Sequence, residues 1–295
     1  MINHLKRIVT GFAAFALAAS AASADVTVGG KNFTEQLLMA EMTTQLLEAN
    51  GFDVNKNDGM GSTVLRKAQV NGQIDIYWEY TGTSLITYNK GSAEGMSPEE
   101  TIAEVRKLDK EHGLTWLDCS DANNTYALAV KEGRDSTSDI QSLSDLAAAY
   151  NDGKDLTMAV NAEFPHRDDG LVGLQKEYDF RVPRAQRATM DSGLTYSALN
   201  EGEADIALVF ATDGRIAAFD FRVLNDDRNF FPNYALCPVV RTDTLEQNPE
   251  LREPLNRLAS KLDDDTMQRL NARVDVDKVS IGKVAKEFLE EEGLI

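Results

Sequence analysis

The stretch Ile74 to Thr83 reads Ile-Asp-Ile-Tyr-Trp-Glu-Tyr-Thr-Gly-Thr, a buried strand that stops in a polar turn. Its last strand-like residue is an aromatic, Tyr80. The turn behind it offers two hydroxyls, Thr81 and Thr83, around Gly82, read here as a flexible link. This is the make-up of a strand end that faces a ligand. A second candidate group is Lys31, which lies in the turn between a strand and a helix. A helix N-terminus presents free N–H groups and a positive dipole end to any anion there, although a solvated loop lysine is the plainer reading of Lys31 taken alone. Catalytic machinery is harder to find. Beyond residue 24 the histidines are His112 and His166, and there is no Gly-x-Ser-x-Gly elbow, phosphate-binding Gly-Lys-Ser/Thr loop or clustered metal-ligand set. Asp168 and Asp169 could do acid-base work, but an acidic loop is the ordinary reading.

The elements that must position these groups follow from periodicity. Val26 to Val28 alternates as a short strand that Gly29-Gly30 should break. Asn32 with Glu35 three residues on has the form of a capping box, so a helix is expected from Phe33, with its stripe at Leu37, Leu38, Met42, Leu46 and Leu47 and its stop at Asn50-Gly51. Phe52 to Val54 predicts a second strand, Gly59 to Gly61 a loop, and Thr63 to Val70 a helix ending at Asn71-Gly72. A surface helix is expected over Glu99 to Glu111 and a strand over Leu114 to Leu117.

The second half repeats the first at an offset of 130 residues: Met60, Ser62, Ala68, Gly72, Asp75 and Ile76 match Met190, Ser192, Ala198, Gly202, Asp205 and Ile206, and Thr27 matches Thr157. Unchanged spacing across several elements favours two related α/β lobes. At the same offset Tyr80 matches Phe210. Ligands of open α/β sheets bind beyond the carboxyl ends of strands, so facing lobes would place these two rings across one cleft. Asn124 to Val130 reads as the strand entering the second lobe and Asn233 to Arg241 as the strand leaving it. Three further helical segments, Asn248 to Leu262, Asp264 to Ala272 and Val279 to Leu289, are expected to pack back on the first lobe. The division predicted is therefore residues 25–122 with 236–295 as one lobe and 123–235 as the other.

Composition narrows the setting. Lys6 and Arg7, an apolar run from Ile8 to Ala19 and Ala22-Ser23-Ala24 have the form of a cleavable export signal over residues 1–24. The run is shorter than the roughly 20 apolar residues of a membrane span, and no cysteine follows the cleavage site to carry a lipid. A free periplasmic protein is expected. Removing the leader takes two of the 30 basic residues and none of the 48 acidic ones, so the net charge of −18 becomes −20. Such a field disfavours nucleic acid and anionic membrane as partners. The two cysteines, Cys119 and Cys237, would meet oxidising conditions, where an even pair either bridges or stays as buried thiols. Antiparallel crossings would bring them within the roughly 7 Å between Cα atoms that a bridge requires.

The segments Val28-Gly29-Gly30-Lys31-Asn32-Phe33-Thr34-Glu35-Gln36, Glu79-Tyr80-Thr81-Gly82-Thr83, Asn123-Asn124-Thr125-Tyr126-Ala127-Leu128, Arg167-Asp168-Asp169-Gly170-Leu171, Thr212-Asp213-Gly214-Arg215 and Pro232-Asn233-Tyr234 together resemble the glycine betaine, choline and related osmoprotectant substrate-binding proteins of ABC transporters. The resemblance covers essentially the whole chain after residue 24. It implies a type II periplasmic-binding-protein fold, α/β and two-lobed with two hinge crossings, that closes on a quaternary ammonium compound and delivers it to a membrane permease. No cofactor or metal is implied, and a monomer is expected. Carried over by position, an aromatic box would comprise Tyr80, Tyr126, Phe210 and Tyr234, and a carboxylate clamp Lys31, Thr83 and Arg167. The chemistry is coherent. A trimethylammonium group has a charge but no N–H to donate, so aromatic faces attract it at about 0.5–2 kcal/mol per desolvated ring, while the carboxylate end suits the fork of Arg167, the point charge of Lys31 and the hydroxyl of Thr83.

Each assignment has a competitor in packing. Tyr126 and Tyr234 could fill the core of the crossing strands, Arg167 could pair with Asp168 or Asp169 on a surface loop, and Tyr196 could equally face the cleft. Phe210 stands where some relatives carry tyrosine, and Asn124 where some place a carboxylate. Two other functions are weighed: a periplasmic enzyme, and a receptor for an amino acid or peptide whose primary ammonium would use Glu79 or Asp213.

Overall fold

The computed structural model describes residues 25–295, and the expected export signal over residues 1–24 lies outside the described residues. Strands β1 (Val26–Lys31), β2 (Val54–Met60), β3 (Ile76–Tyr80) and β4 (Leu114–Trp116) precede a crossing. Then β5 (Tyr126–Lys131), β6 (Met158–Val160), β7 (Arg187–Thr189), β8 (Ile206–Phe210) and β9 (Phe221–Val223) follow, and β10 (Leu236–Arg241) returns. They form two five-stranded sheets, ordered β2-β1-β3-β10-β4 and β7-β6-β8-β5-β9. In each sheet four strands run in one direction, and the fourth in the order runs antiparallel to both of its neighbours.

The internal repeat extends to the register. Val28 opposes Ile76 in the first sheet, and Met158 opposes Ile206 in the second. The Asp75 carboxylate accepts from the Thr27 backbone N–H at 2.9 Å, and the Asp205 carboxylate accepts from Thr157 N–H at 2.9 Å. Both carboxylates satisfy a donor at the edge of a parallel strand, where the ladder itself leaves it unpaired. The matching Gly72 and Gly202 end their helices at φ +78° and +87°, a conformation that favours glycine.

Both antiparallel strands begin directly after a crossing, and Asn123 and Ala235, one on each crossing, form an isolated antiparallel bridge. This wiring decides which residues meet. The start of β10 lies opposite the end of β3, with Leu236 facing Tyr80, and the start of β5 lies opposite the end of β8, with Tyr126 facing Phe210. The residues at the crossings are thereby set beside the carboxyl ends of the parallel strands.

Several local expectations change. The helix after β1 is Thr34–Ala49, with Phe33 at its N-cap and no side-chain cap, so Asn32 and Glu35 form no capping box. β1 continues through Gly29 and Gly30, with a register shift against β2 between Gly29 and Lys31. A Cβ at Gly29 would lie 2.6 Å from Leu65 Cδ1, so the glycine admits close packing of the next helix rather than a break. Gly82 has ordinary right-handed backbone angles; a Cβ there would meet the Tyr234 ring at 2.8 Å. The expected loop at Gly59 is largely the end of β2, and a π-helical turn, Thr83–Tyr88, follows β3. Ser97 and Glu100 do form a capping box, on the helix Pro98–Lys110.

The C-terminal helices Arg252–Ala259, Asp264–Asp275 and Ile281–Glu291 pack on Thr34–Ala49. The middle one also reaches the other half. Gln268 Nε2 and Asn271 Nδ2 each donate at 2.9 Å to the carbonyls of Ala211 and Thr212, and a Cβ on Gly214 would lie 2.5 Å from Ala272 Cβ. Cys119 and Cys237 form a disulfide, with Cα atoms 4.2 Å apart. They join the end of β4 to β10, and the chain they enclose contains the whole second sheet.

Candidate functional site

A cavity of about 160 Å³ lies between the two sheets, and Lys31, Tyr80, Thr83, Tyr126, Arg167, Phe210 and Tyr234 all line it. Tyr126 is the centre of the aromatic group: its ring centroid is 5.5 Å from Phe210, tilted by 38°, and 5.7 Å from Tyr234, nearly edge-on. Phe33 completes the group. Its ring stacks on Phe210 at 5.1 Å and 6°, and lies 6.3 Å from Tyr80. Sequence reading gave Phe33 only a helix start, although its place between Lys31 and the helix N-terminus was the available signal. Burial pushes the Tyr126 phenol up to about 12 and those of Tyr80 and Tyr234 well above their usual value, so the three rings stay neutral phenols.

The cationic end is built from two buried ion pairs. Lys31 Nζ lies 2.5 Å from Glu79 Oε1 and 4.7 Å from the centroid of the Tyr80 ring. The Glu79 carboxylate also accepts from the Tyr77 hydroxyl at 2.9 Å and the Tyr88 hydroxyl at 3.1 Å. Arg167 is buried, and its fork grips Asp169 with Nε at 2.7 Å and Nη2 at 2.5 Å. The surface-loop reading of that pair does not hold. Asn161 Oδ1 accepts from the N–H groups of Glu163 and Phe164, fixing the short turn Phe164–His166 that carries Arg167 into the cavity. Gly170 lets the chain fold back, since a Cβ there would lie 2.4 Å from Phe164 O. The same Asp169 accepts from the Tyr234 hydroxyl at 2.7 Å, so one carboxylate orients both Arg167 and Tyr234.

Groups from the two halves already touch across the cavity. Arg167 Nη2 donates to Thr83 Oγ1 at 3.3 Å, and the Ser62 backbone N–H donates to Glu163 Oε1 at 2.9 Å. A third set converges on Glu35, a carboxylate that sequence reading treated only as a cap. Its Oε1 accepts from the Tyr80 hydroxyl at 2.7 Å and Asn124 Nδ2 at 2.8 Å; its Oε2 accepts from the Thr212 hydroxyl at 2.5 Å and Asn271 Nδ2 at 3.4 Å. Burial raises its pKa above the ordinary carboxylate value, against those four hydrogen bonds. Tyr196 lies in the core rather than the cleft, its hydroxyl accepting from Phe210 N–H at 2.8 Å with Arg215 3.8 Å over its ring. Tyr77 and Trp78 are likewise buried.

Two sheets of the same order, a pair of adjacent crossings and a cavity between the strand ends define a two-lobed periplasmic binding protein of type II. Residues 24–291 match the family model described as OpuAC, the substrate binding domain of ABC-type glycine betaine transport systems, and the chain belongs to that family. It is 40% identical to the glycine-betaine-binding protein of Pseudomonas aeruginosa, over all of this chain and 96% of that one. It is 33% identical to the glycine betaine-binding protein YehZ of Escherichia coli, over 92% of each. The crystal structure of a glycine betaine/carnitine/choline ABC transporter protein superposes with a TM-score of 0.71 at 32% identity, covering 92% of this chain and 99% of that one. The protein is thus a substrate-binding component of an ABC importer.

Proposed function

We propose that the protein captures a small trimethylammonium zwitterion, of which glycine betaine is the simplest, and presents it to its permease. The observation that carries this reading is the junction of Tyr80 and Lys31. Where the aromatic rings end, the cationic groups begin, 4.7 Å away, a span suited to a molecule whose ammonium and carboxylate are separated by a short linker. Tyr80, Tyr126, Phe210 and Tyr234, joined by Phe33, would surround the ammonium; Lys31, Thr83 and Arg167 would take the carboxylate. Choline would bring no carboxylate to the donors of Lys31 and Arg167 that Glu79 and Asp169 leave free, which favours a zwitterion.

A primary ammonium is a poorer fit. Glu79 and Asp213, the carboxylates it would use, are already engaged by Lys31 and by Arg215, whose Nη2 lies 2.6 Å from Asp213 Oδ2. Capture works through closure: a ligand touched by groups of both lobes only when they meet favours the closed arrangement by that difference. On this reading the lobes are 25–122 with 236–295 and 123–235, the protein acts as a monomer, and residues 1–24 are removed on export to leave it free in the periplasm. It is a carrier and not an enzyme. Glycine betaine held in a stoichiometric complex and recovered unchanged, as judged by proton NMR, is the expected result; release of an altered product would overturn the carrier reading.

A further inference from the structure

Among the described residues with a buried charged side chain, every one except Glu35 has an ionic partner. Lys31 pairs with Glu79, Arg66 with Asp109, Arg167 with Asp169 and Asp213 with Arg215. Glu35 is 3% exposed and, among the described residues, forms no ion pair. A buried carboxylate without a counter-charge costs several kcal/mol even when hydrogen-bonded, and the partial positive end of the helix Thr34–Ala49 offsets only part of that. Glu35 is also the carboxylate behind the aromatic box, since Tyr80 and Asn124, two of its four donors, line the cavity.

We propose that Glu35 is the counter-charge for the ligand's ammonium group, acting through Tyr80 and Asn124, and that it makes the site select a permanent positive charge over a neutral group of equal shape. This rests on the ligand reading given above. The hydrogen bonding explains why the charge suits a quaternary centre. Each oxygen of Glu35 already accepts two donors, one pair from Tyr80 and Asn124 and the other from Thr212 and Asn271. A saturated carboxylate has no lone pair left for an N–H, so it offers the ligand a field and not a bond. A trimethylammonium group, with no N–H to satisfy, loses nothing by this, whereas a primary ammonium would remain unsatisfied. Asn124 and Thr212 lie across the cleft from Tyr80, and Asn271 lies on the helix Asp264–Asp275 that packs on Thr34–Ala49, so donors from both halves dress the carboxylate in the closed arrangement. Of the groups packed around it, Tyr80 is the only one of the four donors that titrates, and it does so far above neutrality; the nearby carboxylates Asp213 and Asp275 face Arg215 at 2.6 and 3.2 Å.

Glycine betaine has a carbon isostere, the tert-butylacetate anion, of the same shape and without the positive charge. At neutral pH, calorimetry on the full exported chain should show Glu35→Gln weakening glycine betaine by at least about tenfold while leaving tert-butylacetate unchanged or tighter, so that the preference for the charged ligand collapses. Equal weakening of both ligands, or of neither, would overturn the proposal and reduce Glu35 to a packing role. The wild-type protein supplies a second test that does not depend on the variant folding. Its affinity for glycine betaine should fall as acid protonates Glu35, and a flat profile across that titration would also overturn the proposal. A wild-type protein that binds neither ligand would instead overturn the ligand reading on which the inference stands.

Discussion

Arg167 Nη2 donates to Thr83 Oγ1 at 3.3 Å, and this hydrogen bond joins the second sheet's half to the first's across the cavity. Both residues also line that cavity, so the contact that holds the halves together is made by the groups assigned to the ligand's carboxylate. Thr83→Ala should leave the fold intact and weaken glycine betaine binding by about ten- to a hundredfold, the worth of one hydrogen bond to a charged group. Calorimetry would show it, and an unchanged dissociation constant would remove Thr83 from the clamp.

Asp169 holds Arg167 and Tyr234 at once. Asp169→Asn removes the charge that Arg167 was buried against, and breaking a buried pair costs about 3–5 kcal/mol. The expected outcome is both a lower melting temperature and binding weakened by more than about tenfold. Loss of binding with no loss of stability would mean that Arg167 finds another partner in the variant.

The repeated carboxylates Asp75 and Asp205 give a contrasting case. Each satisfies a strand N–H on the lobe's own sheet, and neither lines the central cavity. Asp75→Ala and Asp205→Ala should each cost about 1–3 kcal/mol of stability in denaturant unfolding, with ligand affinity within a factor of about two.

The disulfide Cys119–Cys237 spans 118 residues. Replacing both cysteines by alanine should lower stability by about 2–5 kcal/mol, because the unfolded chain regains the freedom the bridge denies it. Differential scanning calorimetry of the double variant checks this, and a wild-type melting temperature would contradict it.

Burial raises the pKa of Glu35 above 4.5, so the folded state holds its proton more tightly than the unfolded chain. For a raised group the stabilising contribution is complete below the unfolded value and is lost as pH rises through the folded one. The ligand-free protein should therefore lose stability over that interval on going from mild acid toward neutrality. Glu35→Gln should flatten that part of the profile in thermal melts.

Much of the fold was legible because it is periodic or repeated: the offset of 130 residues survives as matched register and matched carboxylate contacts in the two sheets. Local patterns misled where tertiary contacts overrode them. Asn32 and Glu35 have the spacing of a capping box, yet the Glu35 side chain is drawn to Tyr80, Asn124, Thr212 and Asn271, between 45 and 236 residues away. Gly82 was read as flexible, whereas its missing side chain makes room for the Tyr234 ring. Of the cavity-lining residues named from sequence, Lys31, Tyr80, Tyr126, Phe210 and Tyr234 lie at strand ends or crossings, where topology alone indicates a cleft, whereas Thr83 and Arg167 sit in turns beyond them. Phe33 and Glu35 read as a helix start, although Phe33 stands beside Lys31, and Asp169 reads as a surface partner of Arg167, because the local pattern does not show which of these side chains is buried.

On the proposed function, rings from both lobes hold a quaternary ammonium while cations hold its carboxylate. Calorimetric titration of the wild-type and Tyr80→Ala proteins with glycine betaine, choline, carnitine and a set of amino acids tests it most directly. The account predicts saturable 1:1 binding of glycine betaine, weakened by more than about tenfold in Tyr80→Ala with the fold retained. Tight binding of a primary-amine ligand with none of glycine betaine would contradict it.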